Sequence, residues 1–172
     1  VHGLGGTAGD AGERCVLFAG RLVEAKGVWD TAEAWRRSGV DLPLVFAGTG
    51  TARGELEAAG HTVTGWLDRP ALARAYRGAR ALVLPSRWQE PFGIVGLEAL
   101  ALGTPVAAWL SGGVAEWHPG WPALAPWGDV DGLSRALVEA VAGVPAALPA
   151  RFEPGPPMHR LETLYRQLLN GG

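Results

Sequence analysis

The chain has 172 residues, a formal charge of −2 and 48% hydrophobic residues, which fits one globular domain with a proper core. Scattered Lys and Arg exclude the basic face of a nucleic-acid binder, and no apolar run approaches the ~18 residues of a membrane span. A single cysteine, Cys15, excludes an intrachain disulfide framework, and the first residues lack the basic-then-apolar order of a signal peptide, so the cytoplasm is the expected compartment.

Residues 1–13 are rich in Gly and aperiodic, and they read as a linker or a cut end. Their GLGG is no phosphate loop, because no strand precedes it and no helix follows. A Rossmann-like domain is expected over 14–145. Its first strand is CVLFAG, followed by a helix from Lys26 to Ser38 with apolar residues at Val28, Ala32 and Trp35. The same alternation recurs with LPLVFAG and a helix over 51–59, HTVTGWL and a helix over 70–77, ALVLPS and a helix over 93–101, and TPVAAWL before an SGG turn. Residues 121–127 hold a short last strand and 129–142 an amphipathic helix. A Pro-dense connection over 146–157 and a terminal helix within 158–172 complete the chain. Strands alternating with helices give an α/β fold: one doubly wound parallel sheet with helices on both faces.

The chemistry concentrates in PSRWQEPFGIVGLEAL, residues 85–100. A strand-to-helix turn with Gly93 at its apex directs the unpaired N–H groups of Gly93, Ile94 and Val95 outward at a helix N-terminus, which favours an anion such as phosphate. Glu98, a turn into that helix, offers two acceptor oxygens to the hydroxyls of a ribose. Glu90, on the loop, is placed for a second polyol. Arg21 and Lys26 follow the carboxyl end of the first strand, where an open parallel sheet has its ligand crevice, and a planar fork beside a mobile point charge suits a diphosphate. The plainer reading, a solvated helix start with Glu24 as the counterion of Lys26, leaves the Glu pair unexplained.

Four segments in order, FAGRLVEAKG, LVFAGTG, LVLPSRWQEPFGIVGLEALALGTPVAA and SGGVAEW, resemble the retaining nucleotide-sugar glycosyltransferases of the two-domain GT-B architecture, whose signature is a Glu, seven residues and a second Glu. The resemblance runs from about Val16 to Leu169 and covers only the carboxyl-terminal, donor-binding half of such an enzyme. It implies Glu90 as the catalytic and sugar-contacting carboxylate, and a donor site of Arg21, Lys26, Phe92 (through its backbone), Gly93, Ile94, Val95 and Glu98. It also implies main-chain reading of the base by Gly65, Trp66 and Leu67, with the turn of Gly48 and Gly50 nearby. The implied donor is a nucleotide-diphosphate sugar, with no metal or other cofactor. The chain is expected to lack the family's amino-terminal acceptor domain, and the terminal helix, which in the family crosses back to that domain, is expected to be mobile or to dock on a second copy.

Other candidates are weaker. Asp129-Val130-Asp131 looks like a metal motif but sits where a helix needs an N-cap, and His2, His61, His118 and His159 lack ligand spacing. Among eight Trp residues, Trp29, Trp35 and Trp66 are expected to pack, whereas Trp88, Trp109 and Trp117 are the candidates for stacking on a sugar. A non-catalytic nucleotide or sugar-nucleotide binding module is the alternative function. A phosphorylase is disfavoured because Lys26 is the only lysine, and an epimerase because no further acid/base set accompanies the Glu pair.

Overall fold

Strands β1 (Cys15–Ala19), β2 (Leu44–Ala47), β3 (Thr62–Gly65), β4 (Ala79–Leu84), β5 (Val106–Trp109) and β6 (Leu124–Ala125) form one parallel sheet in the order β3-β2-β1-β4-β5-β6 in the computed structural model, which describes residues 14–120 and 122–143. Helices α1 (Val28–Ser38), α2 (Arg53–Ala58), α3 (Arg69–Gly78), α4 (Ile94–Ala101), α5 (Val114–Trp117) and α6 (Val130–Ala142) connect and follow them. The expected linker over 1–13, the Pro-dense connection over 146–157 and the terminal helix lie outside the described residues.

Period-two alternation sorts the strand side chains into two cores. Val16, Phe18, Phe46, Ala81, Val83, Ala107 and Trp109 point to the face covered by α1, α2 and α6. Leu17, Ala19, Leu82, Leu84, Val106 and Ala108 point to the face covered by α3, α4 and α5. The sheet is therefore doubly wound, as its sequence predicts. Between β1 and β4 the order reverses, since β1 leads toward β2 on one side and β4 toward β5 on the other. Open parallel sheets place their ligand crevice at such a reversal, here at the carboxyl ends of β1 and β4.

Local chemistry adjusts several boundaries. The first helix starts at Val28 and not at Lys26, because Gly27 adopts φ 74° and separates α1 from a 3-10 turn over Glu24–Lys26. A side chain at Gly27 would place its Cβ 1.9 Å from the carbonyl oxygen of Pro85. Asp68 caps α3 by accepting from the Ala71 N–H at 2.8 Å, so Arg69 is its first residue and points to solvent. Asp129 caps α6 through the Gly132 N–H at 2.8 Å, and Asp131 pairs with Arg37 on α1 at 2.6 Å.

The tryptophan expectations need correction. Trp109 and Trp117 are fully buried and offer no face to a ligand. Their indole N–H groups donate to the carbonyls of Asp129 and Phe92, so they tie helix starts to strand ends. Trp66 is 76% exposed because it sits just past the carboxyl end of β3, and Trp29, in the first turn of α1, is also exposed. Trp35 does pack, with its N–H on the Leu42 carbonyl at 2.9 Å, and Trp88 is 64% exposed. His118 is buried. It accepts from the Gly120 N–H at Nδ1 and so carries its proton on Nε2, which donates to the Val106 carbonyl at 2.7 Å.

Candidate functional site

The loops after successive strands are joined by backbone hydrogen bonds along the carboxyl edge of the sheet. The turn after β1 is bonded to the turn after β2, with Gly20 N–H on the Ala47 carbonyl at 2.9 Å and Leu22 N–H on that of Thr49 at 2.8 Å. Gly48 and Gly50 make this approach possible: a Cβ at either would lie about 2 Å from the carbonyl oxygens of Gly20 and Leu22. Gly48 N–H in turn reaches the carbonyl of Gly65 at 2.8 Å. On the other side, Arg87 and Trp88 both donate their N–H to the Ala25 carbonyl, at 3.0 and 3.2 Å. The Gly113 N–H donates to the carbonyl of Glu90 at 2.9 Å. One continuous backbone seam therefore holds the loops that carry the expected site residues.

Within that seam Lys26 and Glu90 meet. Lys26 Nζ lies 2.6 Å from Glu90 Oε2, with the two side chains 25% and 15% exposed. The partner of Lys26 is thus not Glu24 but a carboxylate 64 residues away, brought across the switch point by the β1 and β4 turns. The Arg21 side chain is exposed, and no hydrogen bond or ion pair joins it to another of the described residues. The loop after β1 therefore carries one exposed cation and one paired across the sheet.

The Glu90 loop is positioned from both sides. Ser111 Oγ accepts from the Glu90 N–H at 3.4 Å and donates to the Trp88 carbonyl at 3.1 Å. Gly112 and Gly113 pass so close that a Cβ would fall 2.1 and 2.3 Å from the carbonyl oxygens of Glu90 and Pro91. Toward α1, Arg87 grips Asp30 through two bonds, Nε to Oδ2 at 2.6 Å and Nη2 to Oδ1 at 2.7 Å. This clamp and the Ser111-Gly112-Gly113 cradle were not anticipated as parts of the site. The SGG motif was the visible signal for the cradle, whereas the Asp30–Arg87 pair, 57 residues apart, had none.

Gly93 opens α4 at φ 71°, packed against Trp117, Leu84 and Val114. The first turn of α4, at Ile94 and Val95, has no helical partners for its N–H groups, and Ile94 is exposed there. Phe92 lies partly buried against the α4 core, and its carbonyl accepts from the Trp117 indole. Glu98, half-buried on α4, faces Tyr76 on α3, whose hydroxyl is 3.5 Å from Oε2. Burial first, and then the charge and hydrogen bond of Glu98, push the Tyr76 phenol well above its ordinary range, so it stays a neutral donor. A single contact at that distance is weak and leaves acceptor capacity on the carboxylate. At the end of β4, Ser86 Oγ is buried without a hydrogen-bond partner among the described residues. Gly65 ends β3 at φ 79° and is buried, while Trp66 stands out from the strand end and Leu67 packs partly against the α3 side of the sheet.

The family model of the glycosyl transferases group 1 matches residues 13–142. An uncharacterized glycosyltransferase of Methanocaldococcus jannaschii is 38% identical over 114 residues, which is 60% of this chain and 29% of that protein. A glycogen synthase of Mycobacterium tuberculosis is 40% identical over 112 residues, 59% of this chain and 27% of that protein. The chain thus spans less than a third of the length of these curated relatives. The crystal structure of the catalytic domain of a cholesterol-α-glucosyltransferase from Helicobacter pylori superposes with a TM-score of 0.66 at 16% identity, covering 75% of this chain and 86% of that one. That likeness concerns the fold, a GT-B glycosyltransferase domain. With the sheet order, the seam of loops and the family match over 13–142 in agreement, the chain belongs to the glycosyl transferases group 1 family.

Proposed function

We propose that the chain is the donor-binding domain of a retaining glycosyltransferase that moves a hexose-type sugar from a nucleotide diphosphate to an acceptor held by a second, amino-terminal domain. The observation that carries this reading is the meeting of Lys26 with Glu90 at the switch point, beside an open Arg21 and the N-terminus of α4. Arg21 and Lys26 supply two positive charges to a diphosphate, and the Gly93, Ile94 and Val95 N–H groups supply donors at a dipole's positive end. These groups hold it without a metal. Glu98 takes the ribose hydroxyls with the oxygen acceptors that Tyr76 leaves free, and Glu90 faces the sugar as the catalytic carboxylate. The main chain of Gly65, Trp66 and Leu67 reads the base. A relative named glycogen synthase supports a hexose-type donor. No helix of the described residues is long and apolar enough to cross a membrane, and the cytoplasm is the proposed compartment.

Transfer requires acceptor and donor in one aligned geometry, and full alignment is worth about 7–11 kcal/mol. The 172-residue chain therefore binds donor and transfers negligible sugar by itself, while a longer protein with the upstream domain transfers it. Incubation of both with radiolabelled nucleotide sugars and a panel of acceptors tests this. Robust acceptor-dependent transfer by the short chain overturns the division of labour. Donor binding without transfer by the longer protein favours a non-catalytic binding module.

A further inference from the structure

The Lys26–Glu90 bond closes the site on itself, and we infer that Glu90 competes with the diphosphate for Lys26, so that the pair sets a preference for sugar nucleotide over bare nucleoside diphosphate. This rests on the donor-site reading above. The contact is short, at 2.6 Å, and both side chains are largely withdrawn from water. Neither partner is on a loose loop. The Glu90 backbone is bonded to Ser111 and Gly113, and Lys26 ends a 3-10 turn fixed by Gly27 and by the bonds from Arg87 and Trp88 to Ala25.

An ammonium donates and cannot accept. A phosphate that enters its hydrogen-bonding shell must share or displace the carboxylate already there. The carboxylate then shares or loses its cation and faces a polyanion. A bare nucleoside diphosphate has nothing to offset that loss. A sugar nucleotide does, because its sugar hydroxyls donate to the freed Glu90 oxygens. The pair therefore penalises the product nucleotide more than the donor, which favours release after the sugar has gone. The exposed Arg21 side chain is available to either ligand and provides no such discrimination.

Lys26 is the only lysine of the sequence, so its side-chain amine reports on the pair without ambiguity. Two measurements test the inference on the full 172-residue chain. The first needs no nucleotide: modification of Lys26 by trinitrobenzenesulfonate, read by peptide mass, is expected to be several-fold faster in Glu90→Gln than in the wild type. Equal rates overturn the pairing. The second is calorimetry with UDP, GDP and ADP and with their glucose conjugates. Glu90→Gln is expected to tighten the bare diphosphate by about 3- to 10-fold, tenfold being about 1.4 kcal/mol, and to weaken the sugar conjugate. An unchanged or weaker bare diphosphate overturns the competition. In a Lys26→Gln background the gain from Glu90→Gln is expected to vanish; if it persists, the effect is general repulsion and not competition for Lys26. A wild-type chain that binds none of the six ligands sinks the donor-site reading itself, whereas a binding wild type with an unchanged Glu90→Gln variant sinks the competition alone.

Discussion

Gly27→Ala separates two costs that the structure places at one residue. The backbone at φ 74° is left-handed, which disfavours an L side chain by about 1–2 kcal/mol. In addition, the new Cβ would lie 1.9 Å from the Pro85 carbonyl oxygen and 2.9 Å from its carbonyl carbon. Those are backbone atoms of the β4 turn and cannot swing aside as a flexible side chain would. Forcing the two turns apart costs about 1–3 kcal/mol, as overpacking does, for a sum of about 2–5 kcal/mol. Gly39 provides the control. It ends α1 at φ 66° but has nothing within 4 Å of its would-be Cβ, so Gly39→Ala carries the backbone cost alone. At about 2–4 °C per kcal/mol for a domain of this size, the expected Tm losses are about 2–8 °C for Gly39→Ala and about 4–20 °C for Gly27→Ala. Thermal unfolding followed by circular dichroism reads both. Because Gly27 follows Lys26 directly, its variant should also weaken nucleoside diphosphate binding, whereas the Gly39 variant should not. Equal Tm losses for the two variants would refute the close-approach argument.

Glu98→Gln is expected to weaken nucleoside diphosphate binding by about 1.5–3 kcal/mol, the range for a hydrogen bond to a charged group, with Tm preserved; unchanged affinity in calorimetry removes Glu98 from the site. Burial lowers the His118 pKa, partly offset by its bond to the Val106 carbonyl, so the folded state resists the proton that the unfolded state takes up near pH ~6.5. The contribution of His118 is complete above that pH and is lost as pH falls toward the lowered folded value. Urea midpoints between pH ~7.5 and ~5 should therefore decline more steeply for the wild type than for His118→Gln. His61, also lowered by burial, acts with the same sign in both proteins. Parallel profiles would contradict the buried neutral imidazole.

The periodic strands and the Gly- and Pro-marked turns made the fold legible, because alternation at CVLFAG, LVFAG and ALVLP reports two buried faces directly. The strand order β3-β2-β1-β4-β5-β6 was not legible, because right-handed crossovers fix the face on which each helix packs and leave open which strands become neighbours. In the candidate site the local geometry was readable, as in the Gly93 turn that opens α4 between Glu90 and Glu98. Long-range partners were not. That Lys26 meets Glu90 and not Glu24, that Asp30 clamps Arg87 and that Tyr76 faces Glu98 depend on how three loops and two helices converge, and spacing along the chain carries none of that. The tryptophans failed for a related reason. A residue such as Trp117, beside a motif in sequence, can fill the core beneath it, whereas Trp66 at a strand end has no element to cover it.

Titration of the 172-residue chain with a nucleoside diphosphate and with its unphosphorylated nucleoside, against the wild type and the Arg21→Ala/Lys26→Ala variant, tests the central claim most directly. A donor site built on those two cations predicts measurable diphosphate binding by the wild type, unaltered by a chelator. In the double variant the loss for the diphosphate should be at least tenfold, about 1.4 kcal/mol, and the nucleoside's affinity should barely change, since only the diphosphate carries the charge they meet. Equal losses for both ligands, or no diphosphate binding by the wild-type chain, would contradict the account.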